Sequence, residues 1–248
     1  MKISLIVPCF NEELNIQKGT LDKIGNFTKD DNRFFEVIIS DDGSTDNSKK
    51  IIKERYLTLF PKFKLLENTH QGKAFAIIAG IKKARGDWVA FSDFDLATPI
   101  EEIEKLIKYT PFYPIIIGSR NSERQGAPLI RKLMAKGFIF IRNFLIGLHG
   151  IKDTQCGFKL FDKKIAIKII NKLIVFNQKR KIIDSSVSAG FDLEFLFLAQ
   201  KLGYKIKEVP VIWRHVETKN VNFLKDSFEA LIDIGKIKIN EIAGRYEK

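Results

Sequence analysis

The chain has 248 residues, of which 45% are hydrophobic and 29% charged, and its formal net charge is +12. This length suits a single α/β domain, and the hydrophobic fraction is ordinary for a globular protein. No run of about eighteen apolar residues is present, so we expect no transmembrane helix, and the short apolar run after Lys2 leads us to expect no signal peptide. We therefore expect a cytoplasmic protein. Cys9 and Cys156 are too few for a disulfide framework, and we expect both to be small buried residues.

The first 120 residues alternate predicted strands and helices. Helical periodicity is found over residues 15–27, 47–59, 73–84 and 100–109, and strand-like apolar segments over 3–7, 35–40, 64–66, 88–91 and 115–117. This alternation predicts right-handed crossovers and a mainly parallel sheet.

Three of the predicted strands run directly into polar or acidic residues. An Asn-Glu-Glu run follows the first strand, Asp41 and Asp42 follow the second, and Asp93 and Asp95 follow the fourth. In a parallel sheet these three ends share one edge, where open α/β folds bind their ligands. The pattern therefore predicts one polar site built from three strand ends.

Asp93 and Asp95 lie two residues apart at the end of a predicted buried strand. Carboxylates in that position are costly unless they are paired. A hard divalent cation would remove the cost and leave ligand positions open for substrate phosphates. The alternative is an ordinary acidic turn after a strand.

Seven motifs together resemble one enzyme family. They are Val7-Pro8-Cys9-Phe10-Asn11-Glu12-Glu13, residues 41–46, Gly72-Lys73, Asp93-Phe94-Asp95, Gly118-Ser119-Arg120, residues 153–161 and residues 208–213. With these motifs the chain resembles the family 2 glycosyltransferases of the GT-A fold. Residues 153–161 make it most similar to the polyprenyl-phosphate sugar synthases, and above all to their dolichyl-phosphate glucose branch.

The resemblance implies an α/β fold of the Rossmann-like GT-A type. Its central sheet would be mixed but mainly parallel and flanked by helices, with an amphipathic helix at the C-terminus. We expect one domain over residues 1–248. Its nucleotide-sugar half would cover 1–120, its acceptor half 121–221, and the C-terminal helix 222–248.

The resemblance also assigns residues to the donor and its metal. Asp95 would be a direct ligand of Mg²⁺ or Mn²⁺, and Asp93 would contact the metal, its bound water or the ribose. Further residues expected to hold the nucleotide sugar are Pro8, Phe10, Asn11, Glu12, Asp41, Asp42, Gly72, Lys73 and Phe94. Alternatives remain for three of them: Glu12 as a helix-start carboxylate, Asp42 as a cap of its own turn, and Lys73 as a solvent-facing cation.

The acceptor is expected to be a polyprenyl or dolichyl phosphate. Its oxygens are already ionised near neutral pH, so the reaction needs cations to hold two anionic substrates rather than a general base. Arg120 and Arg131 are the expected catalytic arginines, and Arg214 and Lys219 are further phosphate-binding candidates. Surface salt bridges are the alternative for Arg120 and Arg131.

Other functions stay open at this point. UDP-glucose is favoured over GDP-mannose as the donor. A glycosyltransferase acting on a glycan hydroxyl would need a general base, for which Asp153, Asp192 and Glu194 are available. A non-enzymatic basic protein that binds membranes or nucleic acid is disfavoured, since three acidic strand ends would repel phosphates and no nucleic-acid-binding motif is found.

Two segments indicate contact with a membrane surface. Residues 129–147 are apolar and basic, and residues 223–242 have the periodicity of an amphipathic helix. Each segment would either pack in the core or lie in the lipid interface. We therefore expect a peripheral enzyme at the cytoplasmic face, bound directly or through a membrane-embedded partner.

Overall fold

A computed structural model describes residues 1–120, 129–176, 189–214 and 223–247. Within these ranges seven strands form one sheet in the order β3-β2-β1-β4-β6-β5-β7. The strands are β1 (Ile3–Cys9), β2 (Phe34–Asp41), β3 (Phe63–Glu67), β4 (Trp88–Ser92), β5 (Ile115–Arg120), β6 (Phe158–Asp162) and β7 (Ile206–Val211).

One strand runs against the other six. β6 is antiparallel to both of its neighbours, β4 and β5, whereas the remaining pairs are parallel. The carboxyl ends of the six parallel strands therefore meet the start of β6 at one edge. The predicted mixed, mainly parallel sheet is confirmed, and so is the convergence of its three polar strand ends.

Helices cover both faces of the sheet. They are α1 (Glu13–Gln17), α2 (Thr20–Thr28), α3 (Ser48–Ile51), α4 (Leu57–Leu59), α5 (Lys73–Lys83), α6 (Ile103–Ile107), α7 (Leu129–Ile146), α8 (Lys163–Ile170), α9 (Ala189–Lys201) and α10 (Phe223–Ile242). Side chains alternate along each strand, so Leu5 packs towards α1, α2, the helix over residues 48–59 and α6, while Ile6 packs towards α5, α8, α9 and α10. A glycine in α5, Gly80, lets that helix approach Ile6 closely.

Two predicted helices differ in detail. The helix predicted over residues 15–27 is wrong as a single element, because Gly19 adopts φ of 79° between α1 and α2. This left-handed conformation suits glycine and ends an α-helix. The helix predicted over 47–59 is continuous, but Ile52–Tyr56 forms a wide π-helical turn between α3 and α4.

The C-terminal helix belongs to the core as well as to the surface. Ala230, Ile234 and Ile237 of α10 are buried. Just after it, the Tyr246 hydroxyl donates to Glu194 Oε1 at 2.7 Å. α10 is therefore packed against the rest of the domain and is part of its core. Among the described residues, no helix has both the length and the apolarity needed to cross a membrane.

Candidate active site

Polar side chains lock the loops after β1 and β2 together. Asn11 Oδ1 accepts hydrogen bonds from the N–H groups of Thr45 (2.7 Å) and Asp46 (3.3 Å). The Asn11 N–H donates to Ser44 Oγ at 2.9 Å. Asn11 adopts φ of 53°, which asparagine tolerates better than most residues. Asn11 thus holds the loop after β1 against the loop after β2. Glu12, next to it, accepts a hydrogen bond from Asn15 at 2.6 Å.

Asp41 ends β2 with one carboxylate oxygen engaged and one without a partner. Its Oδ2 accepts from the N–H groups of Gly43 (2.9 Å) and Ser44 (3.1 Å). Its Oδ1 is buried and accepts no hydrogen bond from any described residue. Buried polar atoms are nearly always satisfied, so Oδ1 marks a place where a ligand donor fits.

Asp42 organises the loop before α5, and an aromatic pair lies beside it. Its two oxygens accept from the N–H groups of Gln71 (2.9 Å) and Gly72 (2.8 Å). Asp42 Oδ2 also contacts His70 Nδ1 at 2.8 Å, and the His70 ring stacks on Phe10 with 4.3 Å between centroids. Gly72 has φ of 92°, a conformation that favours glycine. Asp42 therefore caps this later loop and not its own turn.

Asp93 and Asp95 lie at the end of β4 with different partners. Lys73 Nζ donates to Asp93 Oδ1. Burial alone would lower the pKa of Lys73, but Asp93, with Asp192 and Asp95 behind it, raises that pKa above its ordinary value. Lys73 thus pairs with a carboxylate and is not a simple solvent-facing cation. Asp95 Oδ1 accepts from the Ala97 N–H at 3.0 Å.

Two residues expected at the nucleotide have buried side chains. Pro8 lies within β1, and Phe94 packs into the core between Asp93 and Asp95. Only the backbone of these residues is available to a ligand. The following Leu96 adopts φ of 50°, an uncommon conformation for leucine, so the acidic loop is held in a strained shape.

Arg120 forms a two-pronged ion pair with Asp153. Its Nε and Nη2 donate to the two carboxylate oxygens at 2.7 and 2.9 Å, and its guanidinium lies 5.9 Å from the Trp213 ring centre. Burial would raise the pKa of Asp153, but the Arg120 bonds hold it below the ordinary value. The salt-bridge alternative for Arg120 is therefore present in the structure, although the arginine remains partly exposed at the same sheet edge.

The other basic candidates are less fully defined. Arg214 is exposed, and its N–H donates to the Ala97 carbonyl at 2.8 Å, so it follows β7 directly beside the acidic loop. Arg131 lies on α7, but its side chain falls outside the described part of the structure, as does the whole of Lys219. The roles expected for these two residues stay predictions.

Most residues of the site lie within the part of the chain that matches a known family. The family model for glycosyl transferase family 2 matches residues 4–170. Dolichyl-phosphate beta-glucosyltransferase ALG5A of Trichomonas vaginalis is 34% identical, with 99% of this chain and 75% of the relative covered. The dolichyl-phosphate beta-glucosyltransferase of Saccharomyces cerevisiae is 30% identical, with 98% and 76% covered. The chain belongs to glycosyltransferase family 2. It is therefore an enzyme, and the non-enzymatic alternative is wrong.

Solved structures confirm the GT-A fold of this family 2 glycosyltransferase. Mannosyl-3-phosphoglycerate synthase from Rubrobacter xylanophilus gives a TM-score of 0.69 at 14% identity, covering 99% of this chain and 75% of that one. Glucosyl-3-phosphoglycerate synthase from Mycobacterium tuberculosis, in complex with Mg²⁺ and UDP, gives 0.67 at 16% identity, covering 95% and 79%. At these identities the likeness concerns the fold alone.

The oxygen atoms at this site suit a cation that is also bound by substrate, and not one held by protein side chains alone. No group of three or more His, Cys, Asp or Glu side chains among the described residues could hold a metal by itself. Asp93 and Asp95 provide hard oxygen atoms at the sheet edge, and the Asp93 side chain is 32% exposed. Mg²⁺ is commonly held by one or two carboxylates together with substrate phosphates. The two aspartates fit that arrangement.

The three carboxylates named as possible general bases have different surroundings. Asp153 is bound by Arg120, and Glu194 accepts from the N–H groups of three successive residues, 174–176, so both serve the structure. Asp192 pairs with Lys159 Nζ at 2.9 Å. Burial raises the pKa of Asp192 above its ordinary value, against the opposing effect of Lys159. All three carboxylates are therefore engaged by protein groups, and Asp192 differs from Asp153 in that its pKa is raised and not lowered.

Two residues of the site were not predicted from the sequence. His70 stands two residues before Gly72, in a loop without periodicity, and only its contact with Asp42 reveals its place. Lys159 lies within the motif over residues 153–161, but an isolated lysine in an apolar run gives no sign that it is buried. Asp192, its partner, lies 33 residues further along the chain.

Proposed function

We propose that this enzyme transfers glucose from UDP-glucose to a dolichyl or other polyprenyl phosphate, with Mg²⁺ or Mn²⁺ and with inversion at the anomeric carbon. The observation that carries the proposal is the edge where carboxylates of β2 and β4 meet cations of α5 and β5. The relatives support the acceptor, since two from different organisms are named dolichyl-phosphate beta-glucosyltransferases and cover nearly the whole chain.

The nucleotide would lie over the ends of β1 and β2. The Phe10–His70 pair offers a flat aromatic surface for a base, and Asp41 Oδ1 offers a buried acceptor for one of its N–H groups. Asn11 and Asp42 hold the two loops in place around that position. The M. tuberculosis synthase crystallised with UDP is consistent with a uridine donor on this fold.

The diphosphate would lie at the end of β4. A bound divalent cation would stabilise the negative charge that develops on the departing diphosphate. Asp95 and Asp93 would hold that cation or its water, as their oxygen atoms and exposure allow. Lys73, already at Asp93, would donate its N–H groups to the diphosphate. Lys73 is charged at neutral pH, since the surrounding carboxylates raise its pKa.

The acceptor phosphate attacks without a general base. One of its ionised oxygens forms a bond to the anomeric carbon, while the bond from that carbon to the diphosphate breaks and its electron pair leaves with UDP. The product is a β-linked glucosyl phosphate lipid. Arg120, steered by Asp153, and Arg214 beside the acidic loop are the described cations that would hold the acceptor phosphate.

A panel of donors and acceptors tests this function. Purified protein with Mn²⁺ should release UDP from UDP-glucose only when dolichyl phosphate is added, and the lipid product should carry a β-linked glucose. GDP-mannose as the preferred donor would replace the sugar assignment. Transfer to glycan hydroxyls without any transfer to lipid phosphate would overturn the proposal and make Asp192 the expected base.

The outer face of α7 and α10 is proposed to rest on the cytoplasmic membrane surface. Phe140 and Phe144 of α7 are 72% and 78% exposed and stack on each other, and α10 packs beside them. Further exposed apolar side chains on α10 are Phe228, Leu231, Ile232, Ile239 and Ile242. This face is proposed to contact lipid because the proposed acceptor is a lipid and the chain has a net charge of +12, which favours an anionic membrane surface.

Liposome binding tests the membrane contact. Removing the residues after Asn222 is not a clean test, because α10 carries part of the core. Changing Phe140 and Phe144 together to serine should instead abolish cosedimentation with anionic liposomes. Phe112→Ser is the matched control, since Phe112 is 71% exposed in the turn before β5 and lies on neither helix. Equal liposome binding by all three proteins would exclude this face.

A further inference from the structure

Lys159 and Asp192 form an ion pair beneath the acidic loop. Lys159 lies in β6 and its side chain is only 1% exposed, while Asp192 lies in the first turn of α9. Lys159 Nζ donates to Asp192 Oδ1 at 2.9 Å and lies 5.0 Å from the centre of the Phe91 ring. A lysine is rarely buried so completely without a specific partner.

The same ammonium group holds the turn against which Asp93 packs. Lys159 Nζ also donates to the carbonyl of Cys156, next to Gly157. The Gly157 carbonyl accepts from the Asp93 N–H at 3.1 Å. A Cβ atom on Gly157 would overlap the Asp93 carboxylate. A continuous chain of contacts therefore runs from Asp192 through Lys159 and the turn at 156–157 to Asp93.

The turn is also held from the side of β5. A Cβ atom on Gly118 would lie 2.9 Å from the Phe158 carbonyl oxygen and 3.2 Å from Cys156 Sγ. The turn therefore has little room to shift on that side. On the other side Lys159 fixes it, and the orientation of Asp93 depends on both.

Stability alone does not account for a buried ion pair. Two apolar residues of similar volume at such positions are often neutral or stabilising, because burying charges costs desolvation energy. We infer that Lys159 and Asp192 are positioning residues: they set the turn at 156–157 and, through it, the direction in which Asp93 faces the donor. This inference rests on the proposed role of Asp93 in holding the nucleotide sugar and its cation.

Three variants test the inference with a readout besides turnover. Lys159→Met together with Asp192→Asn removes both charges and leaves neither buried alone, so this double variant should fold. Lys159→Arg keeps the cation. The measurement is binding of Mn²⁺ in the presence of UDP, followed by electron paramagnetic resonance, with the melting temperature recorded beside it. Lys64→Met is the control, because it removes the cation paired with buried Glu36 at the opposite edge of the sheet.

The double variant should bind Mn²⁺ with UDP about 10- to 100-fold more weakly, as the loss of groups that orient a ligand commonly does. Its turnover should recover partly at high Mn²⁺. Lys159→Arg should restore part of the affinity, and Lys64→Met should leave it unchanged.

Wild-type affinity in the folded double variant would overturn the inference, and so would equal losses in Lys64→Met. If the double variant does not fold, Lys159→Arg decides: Mn²⁺ affinity below that of the wild type would support the inference, and wild-type affinity at a lowered melting temperature would overturn it. Absence of binding in the wild type would instead refute the proposed donor site, on which the inference depends.

Discussion

The acidic residues at the two ends of the sheet differ in how completely the protein satisfies their hydrogen bonds. At the amino ends of the parallel strands, Glu36 accepts from Ser4 Oγ (2.7 Å), the Arg85 N–H (2.6 Å) and Lys64. At the carboxyl ends, Asp41 keeps a buried oxygen without a partner among the described residues, and Asp93 shares its charge with Lys73. The hydrogen bonds around Glu36 are complete, whereas Asp41 keeps a buried acceptor that no described residue engages.

The difference separates stability from function. A complete buried network contributes to the folded state and has nothing left for a ligand. An incomplete network at a ligand-binding edge costs stability until a substrate supplies the missing donors. Changes at the amino ends should therefore affect unfolding, and changes at the carboxyl ends should affect binding and turnover.

The largest effect is expected at the complete network. Glu36→Ala removes the acceptor for buried donors, each of which costs about 1–3 kcal/mol when left unsatisfied. We expect the free energy of unfolding to fall by about 3 kcal/mol, measured by urea denaturation, with turnover per folded molecule unchanged. A loss of turnover without a loss of stability would contradict the division between the two edges.

The next effect concerns Asp95. Asp95→Asn removes one charge from the proposed cation site. Loss of a residue that only orients a metal ligand costs about 10- to 100-fold in metal affinity or activity, and loss of a ligand itself should cost more. Turnover should therefore fall by more than about 100-fold. The melting temperature should stay close to that of the wild type. Full activity of this variant with added Mn²⁺ would remove Asp95 from the site.

The Arg120–Asp153 pair gives a pH signature. The pKa of Asp153 is lower in the folded protein than its ordinary value, so its ionised form stabilises the fold. Compared with Asp153→Asn, the wild type should be more stable by about 2 kcal/mol at neutral pH. That difference should persist until the pH falls below about 3.9 and then shrink as the folded carboxyl is protonated. A difference that grows in acid would contradict the pairing.

Two glycines provide the smallest contrast. Alanine at Gly157 would press on the Asp93 carboxylate, which is partly exposed and can turn away, so turnover should fall by about tenfold with little loss of stability. Alanine at Gly86 would place its Cβ 2.7 Å from the Lys2 carbonyl oxygen, which is backbone, so stability should fall instead. Turnover and thermal melting of both variants check the contrast. Equal effects on both properties would break it.

Local patterns predicted the elements that depend on nearby residues. The alternation of strands and helices, the ends of β1, β2 and β4, and the helix α10 follow from periodicity and are confirmed. The sequence did not predict β6, because an antiparallel strand between β4 and β5 pairs with residues far along the chain. The break at Gly19 and the pair of Lys159 with Asp192 depend on backbone conformation and tertiary contacts, which periodicity does not encode.

A calorimetric titration of UDP in Mn²⁺ and in EDTA, on the wild type and on Asp41→Asn, tests directly whether a nucleotide and its cation bind at the carboxyl ends of the strands. We expect UDP to bind in Mn²⁺, to bind much more weakly in EDTA, and to lose about 1–3 kcal/mol of binding free energy in Asp41→Asn, because a buried acceptor becomes a donor. UDP binding that is equal in Mn²⁺ and in EDTA, and equal in the two proteins, would contradict the claim that a nucleotide diphosphate and its cation complete the network at the carboxyl ends of the strands.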